Sequence, residues 1–171
     1  MAKMRPNTIN YFVLATLVNE DDQDTEGIVE VLKRVEEELN EFPGPRRSGV
    51  INKRVFSVYS KANTATDFAL RLLNWAQDHD IEVRIALEAV LMSKKDDVIT
   101  VIANTSSLKT IAFTGACYAT MQFAAALSAE QPQRYDYNHV GNISYGEIDE
   151  GQEIYRIDRK LKTALSYIDQ D

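Results

Sequence analysis

The stretch Ile81–Met92, IEVRIALEAVLM, constrains this chain more than any other. Ile81, Val83, Ile85 and Leu87 alternate onto one face, Ala86 and Val90 carry the apolar character to the other, and Ala89 and Leu91 prolong the run. A short run of this kind, rich in β-branched residues, suits a strand covered on both sides. Such a strand needs amphipathic partners above and below it, so the rest of the chain is read as its packing. Arg84 and Glu88 interrupt the second face and read as a pair near a sheet end. A polar turn, Ser93–Asp97, and a further apolar run, Val98–Ile102, predict a long antiparallel hairpin.

Upstream, Tyr11–Val18 reads as a first buried strand. An acidic turn over 19–24 leads into a helix capped by Asp24 or Thr25, with Ile28, Val31, Leu32, Val35 and Leu39 at helical spacing. Pro43-Gly44-Pro45 ends that helix. Val50–Ser60 is one strand, or the second half of a hairpin beginning near Gly49. The next helix opens over Asn63–Asp67, where Thr64 and Asp67 have reciprocal capping spacing, and buries Phe68, Leu72, Trp75 and Ala76. Downstream of the central strand, Thr114–Ala129 reads as an alanine-rich helix and Tyr135–Tyr145 as a strand with bulge positions at Asn138 and Gly141-Asn142. Asp149-Glu150-Gly151 predicts a hairpin turn before Glu153–Ile157, and a last helix follows over 158–168. Strands and helices alternating in this way predict an α+β, ferredoxin-like sandwich with a mainly antiparallel sheet and helices packed on it. Residues 1–9 read as a flexible tail and 10–171 as a single domain.

Several function classes are disfavoured. The net charge of −7 argues against a nucleic-acid backbone or an anionic membrane surface as partner. Tyr11–Val18 is too short to span a bilayer, and no signal-peptide core follows Lys3 and Arg5. The single cysteine, Cys117, permits no internal disulfide. These features together predict a soluble, cytoplasmic protein. Asp22, Asp24 and Glu26 begin like a calcium loop, but Lys33 stands where the closing carboxylate belongs, so a solvated helix start is the better reading. His79 and His139 lack ligand-spaced partners and read as structural, and Cys117 reads as a small core residue. Tyr135, Tyr137, Tyr145 and Tyr155 read as strand packing rather than a base-stacking platform. A faint anion signal lies at Thr105–Ser107 and Thr114-Gly115, where an ordinary cap is favoured. With no phosphate-binding or hydrolase motif present, no cofactor is expected.

The order of elements and several local patterns resemble the class III nucleotide cyclase homology domain over about residues 10–157. VLATLV stands first, RVFSVYS leads into the ATDFALRLLNWAQ helix, EVRIALEA follows, and FTGACYATMQFAAAL and ISYGEIDEGQEIYRI resemble the late helix and closing hairpin. The resemblance implies two metal ions held by two aspartates. One belongs in the first strand, near Leu17 here, and the other in the turn that reads Asn52-Lys53-Arg54, where a cation would repel a divalent metal. It also implies an asparagine and an arginine on the late helix, at about Ala119 and Phe123. The span Thr114–Leu127 contains no Arg, Lys or Asn. The expectation is therefore a degenerate, catalytically silent domain, regulatory or assembling, working as a homodimer. The alanine-rich helix and the Val90–Ile102 hairpin are the expected contact surfaces. A nucleotide or other small anion would be met by Lys53, Arg54 and Arg84. Two alternatives stand beside it: an enzyme running a metal-independent reaction in the same cleft, with Arg84 and Glu88, and a purely structural interaction protein.

Overall fold

The computed structural model describes residues 8–18, 47–51, 54–93, 115–145 and 148–160. Strands β1 (Thr8–Val18), β2 (Arg47–Ile51) and β3 (Arg54–Tyr59) precede helix α1 (Ala62–Asp78) and strand β4 (Glu82–Met92). Strand β5 (Cys117–Thr120), helix α2 (Met121–Glu130) and strands β6 (Tyr135–Tyr145) and β7 (Ile148–Arg159) follow. They build one seven-stranded sheet in the order β2-β3-β1-β4-β5-β7-β6. The stretch expected to be central is central: β4 is the middle strand, antiparallel to β1 and parallel to β5. All other pairings are antiparallel, so the α+β architecture expected from the sequence is the one observed.

Strand alternation decides which residues meet the helices. Val13 and Ala15 of β1, Val83, Ile85 and Leu87 of β4, and Cys117 and Ala119 of β5 all join a core with Ala65, Ala69, Leu72 and Ala76 of α1 and Phe123 and Leu127 of α2. The opposite face collects Phe12, Leu14, Phe56, Val58, Ala86, Met92 and Tyr118. Alanines along the inner side of α1 bring that helix close to the sheet. Tyr11 meets Phe123 edge-on, with ring centroids 5.7 Å apart. Gly49 faces Phe56 across β2 and β3, and a Cβ there would stand 2.8 Å from the ring.

Several expected boundaries move. Cys117–Thr120, read as the start of a helix, is a strand in which every residue is buried, and α2 begins only at Met121. Of the two readings of Val50–Ser60, the hairpin beginning near Gly49 is the one observed, as β2 and β3. Asp149, Glu150 and Gly151 lie inside β7 rather than forming the turn, and Asp158 and Arg159 continue that strand instead of opening a helix. Tyr135–Tyr145 is a strand with the expected extent, and its register slips between His139 and Gly141. The Thr64–Asp67 capping pair does not form, because α1 already begins at Ala62 with Lys61 at its N-cap and no side-chain cap from that residue. Instead the Ala62 backbone N–H donates to Glu130 Oε2 at 2.8 Å, from the far end of α2. Asp67 accepts from the Tyr135 hydroxyl and pairs with Arg134 at 3.0 Å and Arg159 at 3.5 Å. The helix expected over 24–42, the Val98–Ile102 run and the closing helix beyond Lys160 lie outside the described residues.

Candidate functional site

The register of the sheet brings two of the expected site residues together. Strand β1 is paired on both sides, and one residue, Thr16, is opposite Arg54 of β3 and also opposite Arg84 of β4. The three form one lateral row, Arg54–Thr16–Arg84, although 30 residues separate the two arginines in sequence. Neighbouring strands lie about 4.8 Å apart, so the arginine backbones stand about 10 Å from each other. Directly opposite positions share one face of the sheet, so both arginine positions lie on the same face as Thr16. Lys53, the third expected residue, lies outside the described residues.

Arg84 is half-buried, and its Nε is enclosed with no hydrogen-bond partner among the described residues. An enclosed guanidinium N–H without an acceptor is costly, and an anion would relieve it. The expected Arg84–Glu88 pair is not a side-by-side arrangement: Glu88 is opposite Phe12, two same-face positions further along β4. Thr16 is the member of the row that sequence reasoning missed. Its only signal was adjacency to Leu17, the position already singled out.

The late positions expected to carry polar chemistry are part of the core. Ala119 on β5 and Phe123 on α2 have no exposed surface. Thr120, at the N-cap of α2, is fully buried, and its hydroxyl has no partner among the described residues. Burial pushes the Cys117 thiol well above its usual range, helped by Asp158 and opposed by Arg156, so a thiolate nucleophile is disfavoured there. His79 stacks on Trp75 with centroids 4.3 Å apart, and its Nδ1 lies 2.8 Å from the Trp75 carbonyl oxygen. His139 meets Tyr155 edge-on. Among the described residues no group of three or more His, Cys, Asp or Glu side chains is placed to hold a metal ion. The acidic cluster Glu20–Glu26 lies outside them. No helix of the described residues is long and apolar enough to cross a membrane.

Comparison with solved structures decides the fold family. An adenylate/guanylate cyclase/hydrolase from Silicibacter pomeroyi superposes with a TM-score of 0.65 at 12% identity, covering 90% of this chain and 98% of that one. This chain has the class III nucleotide cyclase fold. Adenylate cyclases from Trypanosoma brucei, solved in their monomeric state, match a cyclase-fold chain of this kind with a TM-score of 0.68 at 12% identity, over 94% of this chain and 95% of theirs. The adenylyl cyclase CyaB from P. aeruginosa gives 0.62 at 9% identity, over 91% and 96%. No protein-family model and no curated protein sequence matches the chain. At identities this low the similarity is one of fold.

Proposed function

We propose that this cyclase-like domain is catalytically silent and binds a small anionic ligand, a nucleotide or related phosphate, as a regulatory or assembly module that works as a homodimer. The observation that carries this reading is the row Arg54–Thr16–Arg84. The resemblance puts the metal-binding carboxylates in β1 near Leu17 and in the turn before β3. The row at that end of the sheet sets Thr16 between two arginine positions. That donor set does not fit a divalent cation, because two fixed positive charges repel it and no carboxylate in the row offsets them. It suits an anion, since Arg84 offers a planar donor fork and Arg54 adds a second cationic residue to the same row.

The late-helix positions support the same reading. Ala119 and Phe123 are buried and apolar, so neither can orient a ribose or stabilise charge on a reacting phosphate. Recognition without turnover is what remains when the cationic side of a phosphate site is retained and the catalytic groups are replaced by core.

The test is thermal denaturation with nucleoside triphosphates, cyclic nucleotides and inorganic tripolyphosphate, each with EDTA present. A ligand held by the folded state at about a hundred times its Kd stabilises by about 2.7 kcal/mol. Arg84→Met should abolish that shift. Metal-dependent formation of a cyclic nucleotide, followed by chromatography, would overturn the silent reading. A monomer by light scattering at high protein concentration would remove the homodimer.

A further inference from the structure

A cavity apart from the Arg54–Thr16–Arg84 row lies elsewhere on the molecule. A cavity of about 680 Å³ opens between the second half of α1 and the end of β7, and none of Arg54, Thr16 or Arg84 lines it. We propose that this cavity binds a phosphorylated, hydroxyl-bearing small molecule of the sugar-phosphate or nucleoside-monophosphate class. Its volume lies within the range of small-molecule pockets, about 300–1,000 Å³.

Charge is the first argument. Arg71, Arg156, Arg159 and Lys160 line the cavity against Asp136 and Asp158, a formal excess of two positive charges on a chain whose net charge is −7. A concave basic patch on an acidic protein focuses anions locally. The existing ion pairs leave donors over. Arg159 makes one long contact, 3.5 Å, to an Asp67 carboxylate that already serves Arg134 and the Tyr135 hydroxyl, and its side chain is 56% exposed. Arg156 engages Asp158 through Nε at 2.9 Å and Nη2 at 3.4 Å, which leaves the far edge of the guanidinium open. The Lys160 backbone N–H donates to the Arg134 carbonyl at 3.0 Å, which places the base of its side chain at the rim.

The remaining lining specifies the body of the ligand. Leu70 and Leu73 give an apolar wall, while Asn74, Gln77 and the Asp136 carboxylate offer partners for hydroxyl groups. Gly115 lies on the lining with φ of 84°, and nothing stands within 4 Å of where its side chain would be, so the cavity has room there. Cationic groups for the phosphate, amide and carboxylate groups for hydroxyls, and one apolar wall together describe a phosphate ester rather than bare phosphate or a metal ion.

Calorimetric titration of the full chain at low salt, with ribose 5-phosphate, AMP and inorganic phosphate as probes, tests the assignment. Ribose 5-phosphate or AMP should bind more tightly than inorganic phosphate. Lys160→Glu and Gln77→Glu, both at exposed positions, should each weaken that binding by about ten-fold or more, and added salt should weaken it further. Arg84→Met should leave it unchanged, so failure here is separable from failure at the Arg54–Thr16–Arg84 row. Wild-type affinity in both glutamate variants, or loss of all phosphate-ester binding in Arg84→Met, overturns the second site. Tighter binding of a polyglutamate peptide than of any phosphate would instead assign the cavity to an acidic protein partner.

Discussion

Replacing Asp67 by alanine tests how α1 is tied to the sheet. Its carboxylate is 13% exposed and accepts from the hydroxyl of Tyr135, a residue only 3% exposed. A hydrogen bond to a charged group contributes about 1.5–3 kcal/mol net, and orphaning a buried hydroxyl carries about 1–3 kcal/mol of desolvation. The two ion pairs count for less. Arg134 and Arg159 are 43% and 56% exposed, and solvent screening reduces each pair to about 0–1 kcal/mol. Asp67→Ala should therefore cost about 2–4 kcal/mol. For a domain of this size that lowers Tm by roughly 4–16 °C, at about 2–4 °C per kcal/mol. Arg134→Ala and Arg159→Ala should each cost under about 1 kcal/mol. The assay is urea denaturation of Asp67→Ala, Tyr135→Phe and the double variant as a cycle. Coupling between Asp67 and Tyr135 near zero, or an arginine variant as damaging as the aspartate one, would refute the claim that the buried hydroxyl dominates.

Three further outcomes are expected. Glu130→Gln weakens the cap on the Ala62 N–H and should cost about 0.5–2 kcal/mol by urea denaturation, while a substitution of neighbouring Gln131 should be nearly neutral. Gly49→Ala places a methyl group 2.8 Å from the Phe56 ring and should destabilise by about 1–3 kcal/mol, with Phe56→Leu relieving much of the loss. Burial lifts the pKa of Cys117 above its ordinary 9.0 and that of Tyr135 above 10.0, so their contribution is intact below pH 9 and is lost as pH rises. Urea midpoints should fall from about pH 9 upward, and Cys117→Ala should move the onset towards pH 10; a flat profile between pH 8 and 11 would contradict the burial argument.

Periodicity made the sheet's middle legible. The alternation of Val83, Ile85 and Leu87 against Ala86 located β4, because a strand buried on both faces leaves that pattern. β5 was illegible for the complementary reason. Cys117–Thr120 is four buried small or aromatic residues running into a helix without a breaker, and so short an apolar run carries no period of its own. The misplaced cap has a tertiary cause. Thr64 and Asp67 have the right spacing, but Tyr135, Arg134 and Arg159 claim the Asp67 carboxylate, and Glu130 supplies the cap from 68 residues away. At the site, Arg54 and Arg84 were legible as charges in a strand pattern. Their placement on either side of Thr16 was not, since it depends on the register of two strand pairs with a shared middle strand.

The strand order carries a consequence for synthesis on the ribosome. The block β2-β3-β1-β4 is complete once residue 92 has emerged, and β5-β7-β6 comes entirely from residues 117–159. The seam between them is the short parallel pairing of Ile85, Ala86 and Leu87 with Cys117, Tyr118 and Ala119. Until the second block arrives, β4 offers an unpaired, largely apolar edge to its surroundings. A nascent chain stalled before residue 117 is thus the species most prone to mispairing with another copy.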